Sequence, residues 1–175
     1  LGRCHDLQTV MEAALILRDD PIRFAFIGAG AKLSECLAFV DLHQLENCVF
    51  LPFQPKEVLP FSLTACDLNL VSVSEESEGL VAPSKFYGCL AAGKAIAAVC
   101  SSHSYLRDII DAAQCGKAIT NQDGEGLAEF IRELQQNPAL SQTMGDNGRA
   151  YLEKHFTLSE IADQYLKVIQ NAKLS

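Results

Sequence analysis

Short apolar runs alternate along the chain with stretches whose apolar residues recur every three or four positions. Leu7, Val10, Met11, Ala14 and Leu17 share one helical face, which predicts a helix over Asp6 to Asp19. His5 or Asp6 opens it and Asp19-Asp20-Pro21 ends it. Further helices are expected near residues 32–44, 56–64, 105–113, 125–136, 138–155 and 158–172. The last carries a capping box, Thr157 with Glu160, and a hydrophobic staple, Phe156 with Ile161. Strands are expected near residues 23–27, 48–51, 67–73, 95–99 and 116–119. Strands alternating with helices predict an α/β fold: a doubly wound parallel sheet with helices on both faces. Ligands of such sheets bind outside the C-terminal strand ends. The loops at Gly28, Pro52 and Ser74 all follow strands and share that edge.

The stretch from Ser74 to Lys94 holds the densest chemistry. An acidic loop with Glu75, Glu76 and Glu78 leads to a short helix. Pro83 suits the first helical position, where its missing N–H costs nothing, and Gly93 suits a left-handed cap. The helix therefore opens beside Ser84 and Lys85. A lysine gains nothing from the positive end of a helix, so its placement there points to an anion, most simply a phosphate. Glu78 precedes Gly79, where a bare backbone lets a ligand approach while the carboxylate takes hydroxyls. Glu75 and Glu76 read as a solvated loop.

Composition narrows the partners. The chain has 175 residues, is 49% hydrophobic and carries a net charge of -8. That supports one domain with a full core and argues against nucleic acid. No apolar run nears the roughly 20 residues that cross a bilayer. The seven cysteines form no C-x-x-C pair and read as buried, reduced thiols of a cytoplasmic protein. No Cys/His spacing fits a metal site. Gly28-Ala29-Gly30 is a tight strand-to-helix turn or the lining of a nucleotide pocket; Leu33 stands where a dinucleotide fingerprint needs its third glycine. His5 and His103 are lone histidines. Both have an ordinary structural reading, and His103 also lies on the ligand edge. His43 and His155 read as surface residues.

Taken together, these motifs resemble the C-terminal, nucleotide-sugar-binding domain of family 4 glycosyltransferases, the bacterial retaining enzymes with two facing Rossmann-like domains. The resemblance runs through Arg23 to Gly30, Val49 to Phe53, Glu78-Gly79, Pro83 to Gly88, Ala91 to Lys94, Met144 to Arg149 and Phe156-Thr157. It implies that the chain, residues 1–175, is a single Rossmann-like domain. It also implies transfer of a hexose-type sugar from a nucleotide-diphosphate donor with retention. Ser84 and Lys85 would hold the diphosphate, beside backbone N–H groups of Gly79, Leu80 and Val81. Glu78 would take sugar hydroxyls. Pro52 and Phe53, with Gly28 and Gly30, would flank the base, and Arg3 and His5 stand near the family's basic loop positions. No cofactor and no metal are implied. The partners implied are the donor, an N-terminal acceptor-binding domain and a polysaccharide or lipid-linked acceptor. The resemblance also implies a place at the inner membrane through that other domain, and no turnover by the fragment alone.

Two departures stand out. The family's paired glutamates fall at Leu80 and Gly88, so Glu78 comes two residues early and the ribose-binding glutamate is absent. The family's first strand also falls before Leu1. The interval between the strands at 23–27 and 67–73 is then expected to be filled by residues before Leu1, by a second chain, or by direct closure of the sheet. Two other functional classes fit the same residues: a non-catalytic nucleotide- or phosphate-binding module, and a nucleotide-sugar epimerase of the same architecture.

Overall fold

The structure, a computed structural model, describes residues 1–172. Its elements are α1 (Gln8–Ile16), β1 (Phe24–Ile27), α2 (Leu33–His43), β2 (Cys48–Leu51), α3 (Leu59–Thr64), β3 (Leu68–Ser72), α4 (Lys85–Ala92), β4 (Ala95–Val99), α5 (Tyr105–Ala113), β5 (Gly116–Ile119), α6 (Gly124–Gln136), α7 (Pro138–His155) and α8 (Leu158–Ala172). A 3-10 turn, Glu75–Ser77, interrupts the loop after β3. All strand pairs are parallel, as the alternation predicts.

The expected single sheet is two. β1 pairs with β2, and β3, β4 and β5 form a second sheet in that order. The halves share one core. Phe24 and Phe26 of β1 pack with Ala95, Ala97 and Val99 of β4 against Val10, Met11, Ala13, Ala14 and Leu17 of α1 and Leu127, Phe130 and Ile131 of α6. The opposite face of the larger sheet buries Ile96 and Ala98 under α4 and α5. β4 lies in the middle and all five of its residues are buried, which accounts for its small apolar sequence. Direct closure of the sheet, one of the expected ways to fill the interval, does not occur. The α1 helix bridges the two halves, and Asn47 Nδ2 donates to the Ala14 carbonyl at 2.8 Å.

Asp6 opens α1, accepting from the Thr9 N–H at 3.1 Å and from the Thr9 hydroxyl at 2.8 Å. The other Asp6 contact, from Asn121 Nδ2 at 2.8 Å, ties that turn to the loop after β5. In α7 the Met144–Arg149 segment is structural. A Cβ on Gly145 would strike the carbonyl of Gly93, and one on Gly148 would lie 3.0 Å from Cys115 Cβ. Both glycines let α7 press onto α4 and β4. Thr157 caps α8, accepting from the Glu160 N–H at 3.3 Å. No described residue of α8 is buried, and Leu158, Tyr165, Leu166, Val168 and Ile169 lie exposed along it. Among the described residues no helix is long and apolar enough to cross a membrane.

Candidate functional site

Parallel strands bring the loops after β1, β2, β3 and β4 to one edge. There the base-flanking residues come together: a Cβ on Gly28 would sit 3.7 Å from the Phe53 ring. Gly28 has φ 106°, a backbone that favours glycine. Phe53 projects from the edge, 82% exposed, beside exposed Pro52. Gly30 serves a different purpose. A Cβ there would strike the Leu1 carbonyl, so its bareness admits the N-terminal loop.

The loop after β3 folds on itself. Ser77 N–H donates to Ser74, and both Leu80 and Val81 N–H groups donate to the Ser77 carbonyl. Of the three N–H groups expected to face a diphosphate, Leu80 and Val81 are thus engaged. The reason is the 3-10 turn, which curls the chain back before Gly79. Gly79 keeps its N–H without an acceptor among the described residues and takes φ 75° with open space around it. The side chain of Leu80 is 81% exposed.

The short helix opens two residues later than Pro83 predicts. Ser84 is the N-cap and Lys85 the first residue of α4, because the Pro83 carbonyl accepts the Phe86 N–H at 2.9 Å in a preceding tight turn. Ser84 makes no capping bond with its side chain, and the N–H groups of Ser84 and Lys85 have no acceptor among the described residues. Gly93 closes the helix with φ 64° and ψ 37°, the left-handed cap expected.

Lys85 departs from expectation. Its ammonium does not stand free at the helix start but donates to the Leu70 carbonyl of β3 at 2.9 Å. That carbonyl lies on the edge of β3 away from β4, where no strand among the described residues pairs with it. His5 does the same one step further on: Nδ1 lies 3.0 Å from the Ser72 carbonyl. A carbonyl only accepts, so Nδ1 carries the proton. Burial pushes the His5 imidazole below its usual range, the Ser72 bond partly offsets this, and the charges of the N-terminus, Lys85 and Lys32 lower it further. Lys32, not singled out in the sequence, anchors the loop by donating from Nζ to the His5 carbonyl at 2.7 Å. Its place two residues past Gly30 gave no signal of that role. Arg3 is exposed next to this group, and His103 is exposed in the loop before α5.

Glu78 is half-buried, with Oε2 enclosed and without a partner. The Tyr105 hydroxyl is likewise enclosed and unpaired. Burial pushes Tyr105 up to about 12, and the neighbouring Tyr87 and the Glu78 charge add to the rise. Ser101 Oγ is a third buried polar atom without a partner at the end of β4. Sequence reasoning assigned no role to Tyr87, inside the singled-out stretch, or to Tyr105, which opens α5 after it. Glu75 and Glu76 are exposed, as expected.

All seven cysteines are free; Cys36, Cys89, Cys100 and Cys115 are buried and the other three half-buried. Burial raises Cys48, Cys89 and Cys115 to about 11. These thiols are inert at neutral pH. Among the described residues no group of three or more His, Cys, Asp and Glu is placed to hold a metal ion.

The profile of the glycosyl transferases group 1 family matches residues 3–151. The chain belongs to that family. The match reaches Tyr151 in α7, so it covers every loop of the edge and leaves α8 outside. The chain is 31% identical over 161 residues to a probable glycosyltransferase, WbjE, of Pseudomonas aeruginosa, covering 90% of this chain and 39% of that protein. It is 26% identical over 174 residues to a putative colanic acid biosynthesis glycosyl transferase, WcaI, of Escherichia coli, covering 97% and 41%. The chain thus spans about two fifths of the length of these curated relatives. Among solved structures, Anabaena HepE in complex with UDP-glucose superposes with a TM-score of 0.75 at 19% identity, covering 95% of this chain and 45% of that one. This last likeness establishes the fold: Rossmann-like, with parallel strands flanked by helices.

Proposed function

We propose that this glycosyl transferase chain is the donor-binding, C-terminal half of a two-domain retaining enzyme that moves a hexose-type sugar from a nucleotide diphosphate. One observation carries the reading. The loop after β3 and the start of α4 offer the Gly79, Ser84 and Lys85 N–H groups, which have no acceptor among the described residues, the Ser84 hydroxyl, which makes no capping bond, and the enclosed Oε2 of Glu78. A departing nucleoside diphosphate is an anion, and preorganised N–H donors at a helix start stabilise the charge as it develops. Ser84 and Gly79 bind the diphosphate, joined by Lys85 once its ammonium turns from Leu70. The partnerless Glu78 oxygen takes sugar hydroxyls. Phe53 and the bare face of Gly28 receive the base.

The family's ribose-binding glutamate position falls at Gly88, inside α4, where a Cβ would meet Leu63 Cδ1 at 3.4 Å. Ribose is therefore held elsewhere. The charge of the leaving group is met by the chain's own donors, without metal or cofactor. The acceptor, a polysaccharide or a lipid-linked sugar at the cytoplasmic face of the membrane, docks on a separate N-terminal domain, and this half alone does not turn over. The description of WcaI as a colanic acid biosynthesis enzyme supports that acceptor class, and the UDP-glucose bound to HepE supports the donor class.

A thermal-shift panel of UDP-, GDP- and ADP-sugars tests this. Donor at about 100 times its Kd adds about 2.7 kcal/mol, which for a chain of this size raises Tm by about 5–10 °C. No shift with any nucleotide sugar would remove the donor-binding reading. A shift with free phosphate equal to that with nucleotide sugars would favour a plain phosphate-binding module.

A further inference from the structure

Glu78 rides on a loop that does little to hold it. Gly79 follows with open space around it, and Leu80 beyond is exposed. The Ser74 hydroxyl donates to the Ser77 hydroxyl at 2.9 Å, so these two close the turn on themselves. Among the described residues nothing bonds to the enclosed Oε2 of Glu78. A carboxylate that sorts sugar hydroxyls by direction needs its plane fixed, and a loop fixes it poorly.

Tyr105 has the opposite kind of support. Ser104 caps α5, its hydroxyl accepting from the Leu106 N–H at 3.4 Å. Arg107 donates to the Ser101 carbonyl at 2.8 Å, to the Cys100 carbonyl at 3.2 Å and to the Thr120 hydroxyl at 3.0 Å. The first turn of α5 is thereby tied to the residues that follow β4 and β5. Tyr87 neighbours Tyr105 and is held edge-on by Phe86 and Phe156, with ring centroids 5.8 and 5.0 Å away.

The two partnerless groups are complementary. The enclosed Glu78 oxygen is an acceptor without a donor, and the enclosed Tyr105 hydroxyl is a donor without an acceptor. They are also neighbours. Burial leads the rise of Tyr105 and of the Cys100 thiol, and the Glu78 charge adds to both. Folds rarely enclose a tyrosine hydroxyl without a partner, because an unmade bond costs stability. A role at the site offsets that cost.

We propose that Tyr105 is a positioning residue for Glu78. As a donor sugar enters, the Glu78 carboxylate turns about its last bond, which is a soft torsion. The Tyr105 hydroxyl then donates to Oε2, and α5 rather than the loop sets the carboxylate plane. An ionised carboxylate has about four acceptor sites, so the others stay open to sugar hydroxyls. Resting on the reading of Glu78 as a sugar-binding carboxylate, this role makes Tyr105 a determinant of sugar choice. An epimer that points one hydroxyl elsewhere meets a carboxylate that cannot follow it.

The test compares the native chain, Tyr105→Phe, Glu78→Ala and the double variant by calorimetry. The probes are three pairs: UDP-glucose with UDP, GDP-mannose with GDP, and ADP-glucose with ADP. For the pair that binds, Tyr105→Phe should leave the nucleoside diphosphate within about twofold and weaken the nucleotide sugar by about tenfold or more. In the Glu78→Ala background it should change neither. Equal effects on both members of the pair would overturn the positioning role. So would a further tenfold loss in the Glu78→Ala background, because Tyr105 would then touch the sugar itself. Tm is read alongside: loss of a partnerless enclosed hydroxyl from an otherwise identical ring should leave it at or above the native value. A fall of several degrees would show the hydroxyl already bonded within the chain, against the proposal. A native chain that binds none of the six probes refutes the donor reading and the Tyr105 role with it. One that binds them without any dependence on Tyr105 refutes the Tyr105 role alone.

Discussion

The Arg149 guanidinium donates from Nη1 to the Ala91 carbonyl at 3.0 Å, fastening the C-terminal end of α4 from α7. Carbonyls in the last turn of a helix have no partner within it. A long side chain from a neighbouring helix supplies one here, and a Glu153 bond at 2.9 Å steadies that side chain. The helix that presents Ser84 and Lys85 is thus held from behind, by residues remote from any ligand.

Gly145 makes that arrangement possible. Gly145→Ala places a methyl against the Gly93 carbonyl, and backbone cannot yield as a side-chain tip does. Overpacking of this kind costs about 1–3 kcal/mol. A drop of several degrees in Tm is expected, against a change within about 0.5 kcal/mol for the exposed control Asp146→Ala. Equal Tm values for the two variants would show that α7 does not pack on α4 as described.

Lys85→Ala should weaken nucleotide-sugar binding by about ten- to a hundredfold, because a charge-assisted phosphate contact is worth about 1.5–3 kcal/mol. Calorimetry checks it. Unchanged donor affinity would mean that the lysine belongs to Leu70 in every state.

His5 makes stability depend on pH. Its folded pKa lies below the unfolded value of 6.5, so the unfolded chain binds the proton first. The contribution is complete above about pH 6.5 and declines as pH falls through the window beneath it. Urea unfolding at pH 7.5 and pH 5.0 should reveal a larger acid loss for the native chain than for His5→Gln. The reverse ordering would contradict the burial of His5 against Ser72.

The thiols should resist alkylation. With Cys48, Cys89 and Cys115 at about 11, roughly one thiolate in a thousand exists at each at pH 8. Iodoacetamide labelling of these three, read by mass spectrometry, should be slow in the native chain and rapid in urea. Fast native labelling at Cys89 or Cys115 would show that the core opens.

Periodicity and turn residues made most of the architecture legible. β4, α5 and β5 fall where their apolar runs and caps place them, and Gly93 takes the left-handed turn that its position announces. The boundary at Pro83 slipped because a tight turn and a first helical turn leave the same mark in sequence. The division of the sheet was not legible locally; nothing within residues 24–27 or 68–72 records that β1 pairs only with β2 and β3 only with β4. At the site, Gly28, Phe53, Glu78, Gly79, Ser84 and Lys85 do share one edge. The bonds of Lys85 and His5 to β3 were illegible because they answer carbonyls far away in sequence. Tyr105 was illegible because an aromatic at a helix start reads first as core.

α8 places no side chain in the core, so it is an appendage rather than a structural member. Its attachment at Thr157 is a natural cleavage point. Limited proteolysis there should release the helix and leave a resistant body of about the first 157 residues, with an unfolding transition close to that of the whole chain. What the cut would remove is the exposed stripe of Tyr165, Leu166, Val168 and Ile169. The trimmed body, shorn of that adhesive surface, would be the better-behaved particle in concentrated solution.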